Sequence, residues 1–233
     1  MSAILEAVGV QKSYRGGDGS IVPVLTDVHL TVRRGEAVAI VGASGTGKST
    51  LLHLLGALDD PTDGDLRLDG VSYATLGEEA RNRLRNERIG FVFQFHHLLR
   101  EFTALENVMM PLLIGGWPET RARGRAEELL AAVNLAGRMT HRPPELSGGE
   151  QQRCAVARAM VHDPAVLLAD EPSGNLDSFH SGRLHDLLFD LVHELETALV
   201  VVTHSQGLAD RADRVLVLER GVLNPLVSGE VAR

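Results

Sequence analysis

The segment from Gly42 to Thr50, which reads GASGTGKST, constrains the fold of this chain more than any other stretch. It matches the phosphate-binding pattern G-x-x-x-x-G-K-[S/T] without a mismatch, which chance would produce in about one per cent of chains of this length. An apolar run, 37–41, precedes it, and a leucine-rich run, 51–55, follows it. We therefore expect a buried strand, a glycine loop and a helix in that order.

This loop predicts a nucleotide site. Its glycines leave no Cβ atoms in the way, so that backbone N–H groups can surround phosphate oxygens, and the helix N-terminus adds the positive end of its dipole. Lys48 is expected to reach the β- and γ-phosphates, and the hydroxyl of Ser49 to bind Mg²⁺. The alternative is a glycine-rich turn that contains a lysine by chance.

Composition limits the partners of the chain. Of its 233 residues 44% are hydrophobic and only 4% aromatic, which predicts an aliphatic core. The formal net charge of −8, without a basic tract, argues against binding of nucleic acid. A single cysteine, Cys154, fits a reducing compartment. The sequence has no secretion signal and no run of about 20 apolar residues, so we expect a cytosolic chain that does not insert into a membrane.

Apolar periodicity predicts an α/β chain with a helical insertion. Alternating residues ahead of the phosphate loop indicate half-buried strands. A turn at 61–65 is expected to lead into a short strand that rejoins this first sheet. Continuous apolar runs predict buried strands at 89–93, 166–171 and 199–203, with 215–218 closing the sheet. The stretch 95–134 is predicted to be helical, with Thr103 and Glu106 as a capping box that opens one of its helices.

Polar residues follow two of these predicted buried strands. Gln94 ends the first, and Asp170 and Glu171 end the second. Ligands of open α/β sheets bind at the carboxyl ends of strands. Asp170 fits the aspartate that organises Mg²⁺ and its water, and Glu171 fits a general base for an attacking water. Ordinary strand-ending turn chemistry, helped by Pro172, is the alternative.

A second glycine-containing element, Ser147-Gly148-Gly149-Glu150, precedes a predicted helix. Ser147 and Glu150 match a capping box, which explains these two residues. It does not explain the adjacent glycines, which weaken a helix. Glycines at a helix N-terminus offer a second place where a phosphate can be held.

Two aromatic features have alternative interpretations. Tyr14 is either an edge-strand aromatic or a ring that stacks on a nucleotide base. The apolar residues Phe95, Leu99 and Phe102 either pack within the helical segment or form a docking surface for a partner. The neighbouring His96 and His97 lack further ligands at metal-binding spacing.

The order of these motifs resembles that of the nucleotide-binding subunits of ABC transporters. The resemblance covers essentially the whole chain and rests on the phosphate loop, Gln94, LSGGEQ at 146–151, LLADE at 167–171, GNLD at 174–177 and His204. It implies a head-to-tail pair of identical subunits with two ATP molecules between them. Each phosphate loop would hold ATP against the Ser147–Gly149 helix end of the other subunit.

The resemblance also implies a role for each motif residue. Catalytic roles fall to Lys48, Gln94, Glu171 and His204, and magnesium would be held by Ser49, Gln94 and Asp170. Tyr14 would stack on adenine, and Asp177 would communicate across the dimer. The other implied nucleotide contacts are Gly42, Ser44, Gly45, Thr46, Gly47, Lys48, Ser49, Thr50, Ser147, Gly148, Gly149 and Glu150.

The implied fold is α/β, a phosphate-loop NTPase of the RecA-like class: a mixed sheet core with an antiparallel β subdomain and a helical subdomain. We expect a single domain over 1–233. In it, 1–94 and 155–233 would form the nucleotide-binding core with the β subdomain, and 95–154 the helical subdomain.

A finer resemblance lies in 93–99 and 102–108. These segments are similar to those of the ATPases of lipoprotein-releasing systems, which belong to a wider group that includes macrolide exporters and the cell-division ABC ATPase. The pair His96-His97 favours lipoprotein release; a macrolide or peptide exporter and a non-transporting mechanical ATPase of cell-division type are the alternatives. The group implies transmembrane permease subunits that dock near Phe95–Asn107, on the cytoplasmic face of the bacterial inner membrane. Ser173 and Ala57 replace the usual threonine and glycine of the family.

Overall fold

A computed structural model describes residues 3–226 of the chain. In chain order its strands are β1 (Ala3–Arg15), β2 (Ile21–Arg33), β3 (Ala37–Val41), β4 (Asp63–Leu68), β5 (Val71–Ser72), β6 (Ile89–Phe93), β7 (Val166–Asp170), β8 (Ala198–Val202), β9 (Arg214–Glu219) and β10 (Val222–Pro225). Its α-helices are α1 (Lys48–Leu55), α2 (Glu78–Arg88), α3 (Ala104–Ile114), α4 (Glu119–Ala132), α5 (Gly148–Met160), α6 (Ser178–Glu194) and α7 (Gln206–Ala209). The described residues form two compact units, one of 3–81 together with 198–226, the other Asn82–Thr197.

The first unit is built on a mixed sheet with the strand order β5-β4-β1-β2-β10-β9-β3-β8. β1 pairs antiparallel with β2 and β4, whereas β3 pairs parallel with β8 and β9. The antiparallel part contains the alternating strands expected from the sequence, and β4 rejoins the first sheet as predicted. Val38, Ala39 and Ile40 of β3 have no exposed surface, so the parallel part supplies the aliphatic core.

Two features of this unit differ from the sequence expectation. β4 begins at Asp63, inside the predicted turn, because Gly64 lets its backbone approach β1: a Cβ at Gly64 would lie 2.4 Å from the carbonyl oxygen of Gly9. The strand 214–219 does not close the sheet, since β10 follows it, antiparallel to β9 and parallel to β2. The positive φ angles of Arg220 (52°) and Gly221 (79°) form the tight turn that reverses the chain between them.

The second unit combines the parallel strand pair β6–β7 with helices α3 to α6. The pair runs in register from Ile89 opposite Val166 to Phe93 opposite Asp170. Helix α5 lies close against β6 at Gly90, where a Cβ would come within 2.5 Å of the carbonyl oxygen of Ala159. The predicted helical stretch 95–134 contains α3 and α4, but it is helical only from Ala104 onward, because 94–103 forms an irregular loop. Helix α3 begins with the predicted capping box of Thr103 and Glu106. Within residues 3–226, no helix is both long and apolar enough to cross a membrane.

Candidate nucleotide site

The phosphate loop connects β3 to α1 in the first unit, as the motif predicts. Two of its glycines are required by packing within the chain. A Cβ at Gly42 would lie 2.6 Å from the carbonyl oxygen of Leu218, and one at Gly47 would lie 2.7 Å from Cγ1 of Val24. Gly47 also has a φ of 99°, which other residues rarely adopt. The loop is thus held close to β2 and β9, in a conformation that only glycine permits.

The N-terminus of α1 carries no protein cap. Its N-cap residue, Gly47, has no side chain to accept a hydrogen bond, and the first turn contains no acidic residue. Helices α3, α5 and α6, by contrast, are capped by the side chains of Thr103, Ser147 and Asp177. Because the first amides of a helix have no intrahelical partner, the start of α1 is suited to an anion.

Lys48 lies over this loop. Its Nζ donates hydrogen bonds to the carbonyl oxygens of Gly42 and Ala43, both at 2.8 Å. The ammonium group is therefore held against the start of the loop. A positive charge and several backbone donors at one loop form a suitable cradle for phosphate groups.

His204 and Tyr14 also belong to the first unit. His204 follows β8 and the phosphate loop follows β3; because these strands are parallel neighbours, with Ile40 opposite Val202, both lie at the same edge of the sheet. Tyr14 lies near the end of β1 with 41% of its surface exposed. Its hydroxyl donates to Asp59 at 3.0 Å, and Lys12 Nζ lies 2.7 Å from the same carboxylate. Sequence reasoning did not identify Lys12 and Asp59.

In the second unit, the pairing of β6 with β7 brings the predicted strand-end residues together. Phe93 is opposite Asp170, so Gln94 and Glu171 follow neighbouring strands at the same edge. Gln94 is fixed there by Asn175: its Nε2 donates to Asn175 Oδ1 at 3.3 Å, and Asn175 Nδ2 donates to the carbonyl oxygen of Gln94 at 3.0 Å. Glycine at position 174 leaves space for the side-chain amide of Gln94, since a Cβ there would lie 3.0 Å from its Nε2.

Glu171 has an unusual backbone conformation. Its φ is 45°, in the left-handed region that a glutamate rarely occupies. Such a conformation costs about 1–3 kcal/mol. The carbonyl oxygen of Glu171 accepts a hydrogen bond from the amide of Gly174 at 3.0 Å, which closes the turn after the strand.

The N-terminus of α5 is organised by the predicted capping box. The amide and hydroxyl of Ser147 donate to Glu150 Oε2 at 2.8 and 2.9 Å, and the Glu150 amide donates back to Ser147 Oγ at 3.3 Å. The bond from the Ser147 amide, together with those from Arg138 and the Ser147 hydroxyl, lowers the pKa of Glu150 to about 2 against the opposing effect of burial. The Glu150 carboxylate is therefore negatively charged at neutral pH, and its hydrogen bonds hold Ser147 in place.

The two glycines of α5 are not required by the fold of the chain. Neither has a positive φ. A Cβ at Gly148 would meet no atom closer than 3.8 Å, and one at Gly149 none closer than 3.5 Å. Space is thus left open around this helix N-terminus.

Asp177 caps α6. Its carboxylate accepts a hydrogen bond from the amide of His180 at 2.9 Å, and His180 Nδ1 lies 2.7 Å from the second carboxylate oxygen. The bond from the His180 amide and the contact with its ring lower the pKa of Asp177. The cap by itself explains an aspartate at this position.

Comparison with known proteins decides the family. Residues 25–174 match the model of the family described as "ABC transporter". The chain belongs to the ABC transporter family. Among curated ABC transporter proteins, a lipoprotein-releasing system ATP-binding protein LolD of Legionella pneumophila (strain Lens) is 52% identical over 94% of this chain and 96% of its own length. A LolD of Xanthomonas euvesicatoria pv. vesicatoria (strain 85-10) is 51% identical over 99% of this chain and 94% of its own length.

Solved structures of ABC cassettes confirm the expected fold class. The chain resembles a structure described as the dimeric post-hydrolysis state of the ATP-binding cassette MJ0796 bound to ADP and Pi. The TM-score is 0.86 with 37% identity, and the match covers 96% of this chain and 99% of that one. A second dimeric structure of MJ0796, a bacterial ABC transporter cassette, matches with a TM-score of 0.86 and 38% identity.

Proposed function

We propose that this chain is the ATP-hydrolysing subunit of an ABC transporter that releases lipoproteins from the bacterial inner membrane. The observation that carries the ATPase assignment is the uncapped N-terminus of α1, with Lys48 held over the glycine loop. The identity of 51–52% with relatives named for lipoprotein release, over nearly the whole chain, supports the transport process. The subunit would act on the cytoplasmic face of the inner membrane, attached through membrane subunits.

For nucleotide binding, we assign Tyr14 to adenine and the loop from Gly42 to Thr50 to the phosphates. The loop contributes Gly42, Ser44, Gly45, Thr46, Gly47, Lys48, Ser49 and Thr50. Its open amides and its ammonium group support this role. Magnesium would be held by Ser49, Gln94 and Asp170, whose hydroxyl, amide and carboxylate oxygens are the hard donors that this ion prefers. When bound, the ion supplies charge neutralisation at the phosphates.

For hydrolysis, we assign Glu171 as the general base. It would accept a proton from the water that attacks the γ-phosphate, while ADP departs. Lys48 and His204 would stabilise the charge that develops on the transferred group, and Gln94 would orient the water. The pairing of β6 with β7, which places Gln94 and Glu171 at the same sheet edge, and the fixing of Gln94 by Asn175 support these roles.

We propose that a second copy of the chain completes each site. Ser147, Gly148 and Gly149 of one copy would bind the γ-phosphate held by the other, with the Glu150 carboxylate holding Ser147 in place. Asp177 would lie at the contact between the copies. The open space at Gly148 and Gly149 supports the contact with a second copy, because the packing of the chain itself does not require glycine at these positions. The amides of Gly148 and Gly149 lie in the first turn of α5, where backbone N–H groups have no intrahelical partner and can donate to phosphate.

We further propose one ABC ATPase domain over 1–233, with 95–154 as its helical subdomain. The docking segment, Phe95–Asn107, would contact the membrane subunits. Phe95, Leu99 and Phe102 are 61%, 43% and 38% exposed. The buried side chain of Asn107 holds the backbone beneath them, through hydrogen bonds with the amide and carbonyl of Leu99 (2.8 and 3.0 Å) and the carbonyl oxygens of Phe102 (3.1 Å) and Thr103 (2.9 Å). An exposed apolar surface on a loop that is held in one conformation is suited to binding another protein.

The test is a release assay with the chain purified together with its membrane subunits. In vesicles that contain a lipoprotein, ATP is expected to drive release above a control without ATP. A Phe95→Ser variant is expected to lose release while the isolated chain keeps its ATPase activity; Ile21→Ser, a substitution of an exposed apolar residue outside the docking segment, serves as the control. Transport of a macrolide or peptide without lipoprotein release, or ATPase activity without any transport, would instead favour the alternative members of the group.

A further inference from the structure

Helix α5 holds the docking segment through a half-buried arginine. Arg158 donates one hydrogen bond to the carbonyl oxygen of His97 and another to that of His96, both at 2.8 Å. Burial lowers the pKa of the Arg158 guanidinium. Because the guanidinium is planar and donates both bonds at once, it fixes the orientation of this backbone as well as its distance from the helix.

A second side chain of α5 holds the residue just before Gln94. Gln152 is only 3% exposed, and its Nε2 donates to the carbonyl oxygen of Phe93 at 3.0 Å. Gln94 therefore lies between two points at which the chain is attached to α5. The intervening backbone is irregular: His97 has a φ of 46°, and its ring stacks edge-on against Phe93 with 5.5 Å between the centroids.

The same helix begins with Ser147, Gly148 and Gly149. Arg158 lies about two and a half turns beyond Gly149 on the same continuous helix. A cavity of about 170 Å³, lined in part by Phe93 and Arg158, lies next to these contacts, so that a side chain entering it would touch the arginine directly.

We propose that Arg158, supported by Gln152, is a positioning residue that couples the docking segment to the N-terminus of α5. The proposal rests on the proposed function of the chain. A membrane subunit that displaces His96 and His97 moves α5, and thereby the glycines that meet the nucleotide of the second copy. The coupling also acts in the opposite direction. When the start of α5 contacts the ATP bound to the second copy, the position of His96 and His97 in the docking segment changes.

The first experiment needs no membrane partner. Hydrogen exchange of the amides of 95–99 is measured in the full chain with and without ATP, for the wild type and for Arg158→Lys, in which a single ammonium replaces the two-pronged donor. We expect ATP to change the exchange of this segment in the wild type but not in the variant. Arg125→Lys is the matched control, since Arg125 donates to Val161 at the same C-terminal end of α5 but outside the docking segment. An equal response to ATP in wild type and Arg158→Lys, or none in the wild type, would overturn the proposal.

The second experiment uses the complex with the membrane subunits. The ratio of its ATPase rate to that of the isolated chain is expected to fall at least about fivefold in Arg158→Lys, the lower bound for typical coupling between sites. Gln152→Met, which removes only the bond to Phe93, replaces Arg158→Lys in both experiments if that variant does not fold. An unchanged ratio contradicts the coupling, whereas a wild-type complex that hydrolyses ATP without releasing lipoprotein contradicts only the proposed substrate.

Discussion

The hydroxyl of Tyr14 is anchored to the carboxylate of Asp59, with 3.0 Å between the two oxygens. Lys12, buried beside them, bonds the same carboxylate at 2.7 Å and lies 4.9 Å from the centre of the tyrosine ring. Burial raises the pKa of Asp59, but the bonds from Lys12, the Asp60 amide and Tyr14 together bring it below its ordinary value. Asp59 is thus an ionised anchor at neutral pH, and it fixes the ring that we assign to adenine.

Tyr14→Phe is therefore expected to weaken ATP binding, because the ring stays but its anchor is lost. A net hydrogen bond contributes about 0.5–1.5 kcal/mol, so the KM for ATP should rise roughly 2- to 10-fold while kcat stays the same. Steady-state kinetics measures both. The control is Tyr73→Phe, the only other tyrosine, whose hydroxyl bonds the buried carbonyl of Leu55 instead. An equal rise of KM in both variants would show that the Asp59 anchor is irrelevant.

Glu171→Gln is expected to bind ATP normally and to lose nearly all turnover. The amide keeps the shape of the side chain but cannot take a proton, and general bases typically contribute about 10²- to 10⁴-fold. Binding is measured by titration and turnover by phosphate release, and the variant should accumulate as a dimer with ATP. Glu196→Gln is the control, since Glu196 has a similar φ of 49° outside the proposed site. Rapid turnover of Glu171→Gln would remove Glu171 from the role of base.

Gly149→Ala is expected to separate folding from activity. A Cβ fits there without a close contact, so the free energy of unfolding should stay constant or rise by up to about 1 kcal/mol. ATPase activity should fall about 10²-fold, the typical effect of a misplacement of about 1 Å in a reacting complex. Gly124→Ala in α4 also meets open space and should retain full activity. If Gly149→Ala hydrolyses ATP like the wild type, the second phosphate contact is wrong.

The capping box of α5 should make stability depend on pH. Because the pKa of Glu150 is lowered from 4.5 to about 2, its ionised form stabilises the folded state above pH 4.5, and this contribution is lost as the pH falls from there toward 2. The difference in the free energy of unfolding between wild type and Glu150→Gln should therefore shrink between about pH 5 and pH 3. Denaturant titrations at several pH values measure it. A difference that stays constant over this range would contradict the assignment.

Predictions from local sequence were the most successful. The motif at 42–50 predicted strand, loop and helix correctly, and the apolar run at 89–93 gave β6 with its bounds. The boxes Thr103–Glu106 and Ser147–Glu150 were also found, because a cap depends on residues only three positions apart. The chemical roles of the site residues, which belong to complexes with nucleotide and partners, stay predictions.

The sequence by itself determined the family, the phosphate loop and the strand ends that carry Gln94, Asp170 and Glu171, because each is a short pattern of residue types with its own backbone chemistry. Only the tertiary structure decided which side chains hold these elements in place. Asp59 meets Tyr14 across 45 positions, and Arg158 meets His97 across 61. Such contacts follow from how strands and helices pack, and no local pattern of polar residues distinguishes these positions from an exposed aspartate or arginine.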